Sequence, residues 1–221
     1  YDFTVKAFEL SEKWKLPILL RLTTRVCHSK TVVDKKIKPS KGYSELEFAK
    51  DLRGKVMIPS NARPAHVRLR EKIAKIAEFN EESIFNAVEK GLSDLGIITS
   101  GISYQYAKEA EPDAGFLKLG MTYPLPLKKI RDFAGKYKRC IVIEEGDPYL
   151  FNLIMAAGIK VEGRHDVFRI GELNIRRVRK ILSGDNTPEE KLPSGKAPQL
   201  CPGCPHKTVY DALKKLGCTV P

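Results

Sequence analysis

Cys201-Pro202-Gly203-Cys204-Pro205-His206 places two thiols at CxxC spacing. That spacing lets both sulfurs face one metal from a tight turn, with Gly203 free to turn backbone N–H groups inward. A closed shell takes four ligands, and downstream of Cys204 the only further candidates are His206 and Cys218. His206 follows Cys204 too closely for a comfortable bite, so the spacing predicts an incomplete site whose missing ligands lie beyond Pro221. A thioredoxin-like redox pair would need a βαβ approach before the CxxC, and none precedes residue 201.

Three other groups could carry chemistry. Thr99-Ser100-Gly101 ends an apolar run just before a helical pattern, where hydroxyls and free N–H groups can hold an anion; the plainer reading makes Ser100 a helix cap. No GK[ST] follows and no GxGxxG occurs, which excludes the known nucleotide fingerprints. Glu144, Glu145 and Asp147 invite acid/base chemistry, yet Asp147-Pro148 reads first as an N-cap followed by proline in the first helical turn. The two glutamates are then left for a polar network or an interface. Arg21, Thr23, Thr24, Arg25 and His28 put cations and hydroxyls after the apolar run PILLRL, facing an anionic substrate or a subunit interface. His28 reads as a hydrogen-bonding residue, and no residue is assigned a catalytic role.

These groups must be positioned by a core, and 221 residues with 42% hydrophobic side chains suffice for one or two domains. The net charge of +12 divides unevenly: +9 over residues 1–80, −2 over 81–175 and +5 over 176–221. A near-neutral middle between basic flanks argues against a nucleic-acid binder, and the flanks lack interleaved aromatics. No apolar run approaches the roughly 20 residues that span a bilayer, so the chain is expected to be soluble and cytoplasmic. Five scattered cysteines do not make a secreted disulfide framework. Tyr1 in place of Met, and the apolar runs near both ends, suggest an internal piece of a longer polypeptide.

Along the chain, FELSEKWK reads as a short helix and Pro17 to Leu22 as a strand. Residues 29–61 suit a linker, and a basic helix begins near Pro64 with Leu69, Ile73, Ile76 and Asn80 on one face. From residue 95 the pattern alternates: strands at Leu95–Thr99, Gly115–Leu119, Cys140–Glu144 and Ile159–Glu162, with helices at Ile102–Ala110, Leu127–Tyr137 and Pro148–Ala157. A helix at 171–182 closes the unit before a linker from Ser183 to Pro198. Strands separated by helical crossovers predict an α/β fold, a parallel sheet with helices on both faces, flanked by partial domains.

Six strings, taken together, resemble the large subunit of the indolepyruvate:ferredoxin oxidoreductases, within the thiamine-dependent 2-oxoacid:ferredoxin oxidoreductases. They are PILLRLTTRVCHS (17–29), NARPAHVRLREK (61–72), LGIITSGISYQYAKEA (95–110), LKLGMTYPLPLKKIRDFA (117–134), IVIEEGDPYL (141–150) and LCPGCPHKTVYDALKKL (200–216). The resemblance implies that residues 1–33 end a pyrimidine-binding domain, 34–60 link, and 61–182 form a transketolase-C-terminal-like domain. Residues 183–197 then link again, and 198–221 begin a thiamine diphosphate-binding domain.

It further implies a parent enzyme that decarboxylates arylpyruvates on thiamine diphosphate with Mg, passes electrons through 4Fe-4S clusters to ferredoxin, and releases arylacetyl-CoA from coenzyme A. A smaller β subunit is the implied partner, with no membrane or nucleic acid. Cys201 and Cys204 become candidate cluster ligands, with Gly203, Cys204 and His206 near the cofactor. Neither Gly146-Asp147 nor Gly184-Asp185 has the context of the family's metal–diphosphate motif, so the chain alone is not expected to be competent. The competing reading is a basic metal- or nucleic-acid-binding module with half a zinc site at CPGC.

Overall fold

The computed structural model describes residues 1–32, 50–189 and 199–218. The chain divides into two compact units, Tyr1–Asn186 and Thr187–Pro221. In the first, the helices are α1 (Asp2–Trp14), α2 (Thr24–His28), α3 (Leu52–Lys55), α4 (Pro59–Glu81), α5 (Ser103–Ala110), α6 (Leu127–Ala134), α7 (Tyr149–Ala156) and α8 (Ile175–Ser183). The strands are β1 (Asn86–Glu89), β2 (Leu95–Ser100), β3 (Gly115–Leu119) and β4 (Arg139–Ile143), in sheet order β1-β3-β2-β4. The second unit carries α9 (His206–Lys215).

Successive residues of the central strands point to opposite faces, and here both faces are apolar. Ile97, Phe116, Ile141 and Ile143 pack with Ala107 of α5 and Val178 and Ile181 of α8. Ile98, Leu117 and Val142 pack on the other side with Ile130 and Phe133 of α6 and Leu150 and Ile154 of α7. Each fully buried side chain of this size contributes roughly 1.5–3 kcal/mol relative to exposure. Two separate apolar cores therefore clamp the sheet, and the α/β fold with helices on both faces is as expected from the sequence.

The sheet is mixed rather than all parallel. β2 pairs in parallel with β3 and β4, but β1 runs antiparallel to β3, with Val88 opposite Leu117. β1 escaped sequence reading because it is four residues long, edge-placed, and leaves Ala87 and Val88 exposed. Conversely, Ile159–Glu162 is no full strand. It meets β4 in a single parallel bridge, Ile141 to Glu162, closed by Glu162 N–H to Cys140 O at 2.8 Å and Val142 N–H to Glu162 O at 2.9 Å. The next residue, Gly163, lies so close to the Phe151 ring that a Cβ there would stand 2.8 Å from it.

Pro17–Leu22 is likewise not a strand; among the described residues no neighbouring backbone pairs with it, and Leu19 is 93% exposed. α4 starts at Pro59 rather than near Pro64, because Pro59 fits the first helical turn and the carbonyl of Ile58 accepts the N–H groups of Asn61 and Ala62 at 2.9 and 2.8 Å. The expected inner face holds: Ile76 and Asn80 are buried, and Leu69 and Ile73 half-buried. α1 lies against the end of α4 and the turn before β1 through two edge-on aromatic pairs, Trp14–Phe79 at 6.1 Å and Phe3–Phe85 at 5.4 Å. Residues 33–49 of the expected linker and 190–198 of the second one lie outside the described residues.

Candidate functional site

Two helices that frame the carboxyl edge of the sheet begin after proline, which brings no side-chain acceptor to a helix start. Pro126 precedes α6 and Pro148 precedes α7, and neither helix has a cap from its own first residue. Each is capped from elsewhere. Glu81, at the end of α4, accepts the N–H groups of Lys128 and Lys129 at 2.9 and 2.8 Å. Glu144, just after β4, accepts those of Leu150 and Phe151 at 2.8 and 3.0 Å. A carboxylate at a helix N-terminus satisfies orphan donors and complements the helix dipole.

This corrects the reading of Asp147 as the N-cap. Pro148 takes that position, and Asp147 instead accepts Arg169 Nε at 2.6 Å. Glu145 accepts the N–H of Leu173 at 3.2 Å. Of the three acidic residues, only Glu144 is buried, and burial pushes its carboxyl above the ordinary carboxylate range against the pull of the two N–H donors and Arg164. Ser100 does not cap α5 either. Gly101, at φ 56°, and Ile102 intervene, and Ile102 is the N-cap residue without a side-chain bond. Thr99 Oγ1 is buried and lacks a hydrogen-bond partner among the described residues.

The residues 201–204 form a hydrogen-bonded turn, Cys204 N–H to Cys201 O at 3.0 Å, with proline second and Gly203 third at φ 75°. That is a type II turn, whose third position favours glycine because φ is positive. Cys201 is exposed and Cys204 half-buried, with Cys204 Sγ 3.5 Å from Nδ1 of His206, the first residue of α9. Sequence spacing alone placed His206 awkwardly; the structure sets it beside Cys204. Cys218 follows the end of α9 and is exposed.

These residues fit half of a metal shell. Among the described residues, no cluster of three or more His, Cys, Asp or Glu could hold a metal ion. The thiamine diphosphate motif is not met either, since Asp147 is engaged by Arg169, and Asp185 pairs with Lys180 at 3.5 Å. Among the described residues, Cys201 and Cys204 thus offer two thiols toward a metal shell that further ligands would have to complete.

The thiols differ in a measurable way. Cys140 on β4 is buried, which pushes its pKa up to about 12, and a nearby Glu162 adds to the shift. Because the thiolate is the reactive form, a thiol-exchange reagent at neutral pH should titrate Cys27, Cys201, Cys204 and Cys218 quickly. Cys140 should react only on unfolding, and five fast thiols in the native chain would contradict the buried placement of β4.

The Arg21–His28 group comes together with the sheet edge. Arg25 donates to Glu172 at 2.6 Å, and Arg21, Thr23, Thr24 and Arg25 line a cleft with Ile102, Tyr106 and Glu145. His28, at the end of α2, is exposed and does not line it. Sequence reasoning put Asn80 on the inner face of its helix but missed its buried partner Asn86, and the Glu81 cap. The prolines at two helix starts were the available signal for Glu81, because such helices need an acceptor from outside.

Fold and site thus define an α/β unit with helices on both sides of a mixed sheet, and a separate short unit bearing a CPGC turn. The chain is similar in sequence to the indolepyruvate oxidoreductase IorA subunits. It is 35% identical to that of Methanothermobacter thermautotrophicus, 33% to that of Archaeoglobus fulgidus and 32% to that of Thermococcus kodakarensis, each alignment covering 97% of this chain and 38% of the relative. The chain therefore spans about two-fifths of the length of these relatives. No family model matches. Among solved structures, a 2-oxoglutarate:ferredoxin oxidoreductase from Magnetococcus marinus aligns at 19% identity with a TM-score of 0.46, over 59% of this chain and 24% of that one. Among the described residues no helix is long and apolar enough to cross a membrane.

Proposed function

We propose that this chain is the middle portion of an oxidoreductase subunit that oxidatively decarboxylates arylpyruvates, indolepyruvate among them, to arylacetyl-CoA with ferredoxin as acceptor. The observation that carries the reading is the likeness to IorA subunits across 97% of the chain. On this reading residues 1–33 end a pyrimidine-binding domain, 61–182 are a transketolase-C-terminal-like domain with a mainly structural role, and 198–221 open the thiamine diphosphate-binding domain. A smaller β subunit, coenzyme A, thiamine diphosphate with Mg and 4Fe-4S clusters complete the cytoplasmic enzyme.

Within this chain, the type II turn holds Cys201 and Cys204 ready as two of a cluster's ligands, and the others come from the rest of the subunit. The cluster, when bound, would relay electrons. This chain's own part is to orient two thiols and to shape the turn around Gly203, Cys204 and His206.

The test uses the full-length subunit assembled with its partner. Cys201→Ser and Cys204→Ser should each lower iron content and ferredoxin reduction with indolepyruvate, while the far-ultraviolet circular dichroism stays that of the parent. Unchanged iron and activity in both variants would reduce the pair to a structural turn. Absence of arylpyruvate-dependent ferredoxin reduction in the parent complex would sink the functional reading itself.

A further inference from the structure

The path of the chain through the sheet opens a crevice. β2 lies between β3 and β4; the connection leaving β2 passes through α5 on one face, and the one leaving β4 passes through α7 on the other. The loops at the carboxyl ends of β2 and β4 therefore part, and open α/β sheets take ligands at such a reversal of strand order. A cleft of about 370 Å³ lies there, between Ile102 at the N-cap of α5, Tyr106 within it, Glu145 after β4, Glu172, and the Arg21–Thr23 segment. Its size falls within the ordinary range of small-molecule sites.

The charges in the cleft are only partly used by the protein. Arg25 and Glu172 neutralise each other. Glu145 gives one oxygen to the N–H of Leu173. Its charge also acts on Arg25, but its second oxygen and the Arg21 guanidinium make no hydrogen bond among the described residues. Thr23 Oγ1 is shielded from solvent and also lacks a partner there. Leu22 and Ile102 supply apolar wall. Among the described residues, a guanidinium and a carboxylate oxygen without hydrogen bonds, an idle hydroxyl and an apolar wall make a two-signed recognition surface. A simple anion would leave Glu145 facing like charge, and a simple cation would do the same to Arg21.

We propose that this cleft binds a small zwitterion, an α-amino acid with an apolar side chain. Its carboxylate meets Arg21 and the Thr23 hydroxyl, its ammonium meets Glu145, and its side chain lies against Leu22 and Ile102. Binding requires no turnover, so the proposal stands or falls separately from the oxidoreductase reading.

The test is calorimetric titration of the 221-residue chain with L-phenylalanine and with its two half-charged analogues, 3-phenylpropionate and phenethylamine. The amino acid should bind with a Kd of about 1 mM or tighter, and each analogue at least about tenfold more weakly. Arg21→Ala should weaken phenylalanine binding at least about tenfold, and Glu145→Gln should erase the preference over 3-phenylpropionate. Circular dichroism checks that both variants fold; if either does not, the three-ligand comparison on the unaltered chain decides alone. Equal binding of 3-phenylpropionate and phenylalanine, or no binding of any of the three up to about 20 mM, overturns the proposal.

Discussion

Asn80→Ala should lower the unfolding free energy by about 3 kcal/mol, one of the largest single-residue losses in this chain. Asn80 is fully buried near the end of α4. Its Nδ2 donates to the carbonyls of Met121 and Pro124 at 3.0 and 2.7 Å, and its Oδ1 accepts Asn86 Nδ2 at 2.8 Å. Asn86 in turn accepts the N–H groups of Gly120 and Met121 through Oδ1 at 3.1 and 3.2 Å. This knot ties α4 to the start of β1 and to the loop after β3. Alanine would take the side-chain donor from the carbonyls of half-buried Met121 and Pro124 and leave the buried Asn86 amide with only the Asn80 carbonyl as acceptor, and each buried polar group left without its partner costs about 1–3 kcal/mol.

Urea unfolding of the single variants and of Asn80→Ala with Asn86→Ala checks this. The two losses should be clearly less than additive, because both break one network. A loss below about 1 kcal/mol for Asn80→Ala would mean that the knot adds little.

Glu144 is the second case, and here two substitutions should separate. Glu144→Ala leaves the first N–H groups of α7 without an acceptor and opens space beneath the helix, so a loss of about 2–3 kcal/mol is expected. Glu144→Gln keeps one acceptor oxygen and removes a charge that burial disfavours, so its loss should be about 1 kcal/mol or less. The pH dependence gives an independent sign. Because the carboxyl's pKa is raised in the folded chain above the ordinary 4.5, the folded state holds this proton more tightly than the unfolded state. The native chain should therefore gain stability relative to Glu144→Gln as pH falls through the folded-state pKa towards 4.5. Denaturant midpoints at several pH values test this, and an opposite trend would show that the two N–H donors outweigh desolvation.

Much of the architecture was legible in the amino-acid order because it depends on local pattern. β2 and β4 carry runs such as GIIT and CIVI that can only be buried on both faces, and the stretches between them have helical length. From those two features follow crossovers, parallel pairing and helices on both sides of the sheet. The CPGC turn was equally readable, since proline followed by glycine between the cysteines specifies a type II geometry without help from the rest of the chain.

What only the tertiary structure decided is where long-range partners meet. PILLRL has strand composition, yet a strand exists only when another backbone pairs with it, and among the described residues none does. β1 has almost no pattern of its own and becomes a strand because β3 offers a free edge. Asp147 sits in a cap-like string, but the acceptor that reaches α7 is Glu144, and the one that reaches α6 is Glu81, 47 residues earlier in the chain than the N–H it binds. Hydrophobic period and turn chemistry are properties of neighbouring residues, whereas satisfying a buried donor or pairing an edge depends on groups brought together only when the two cores close.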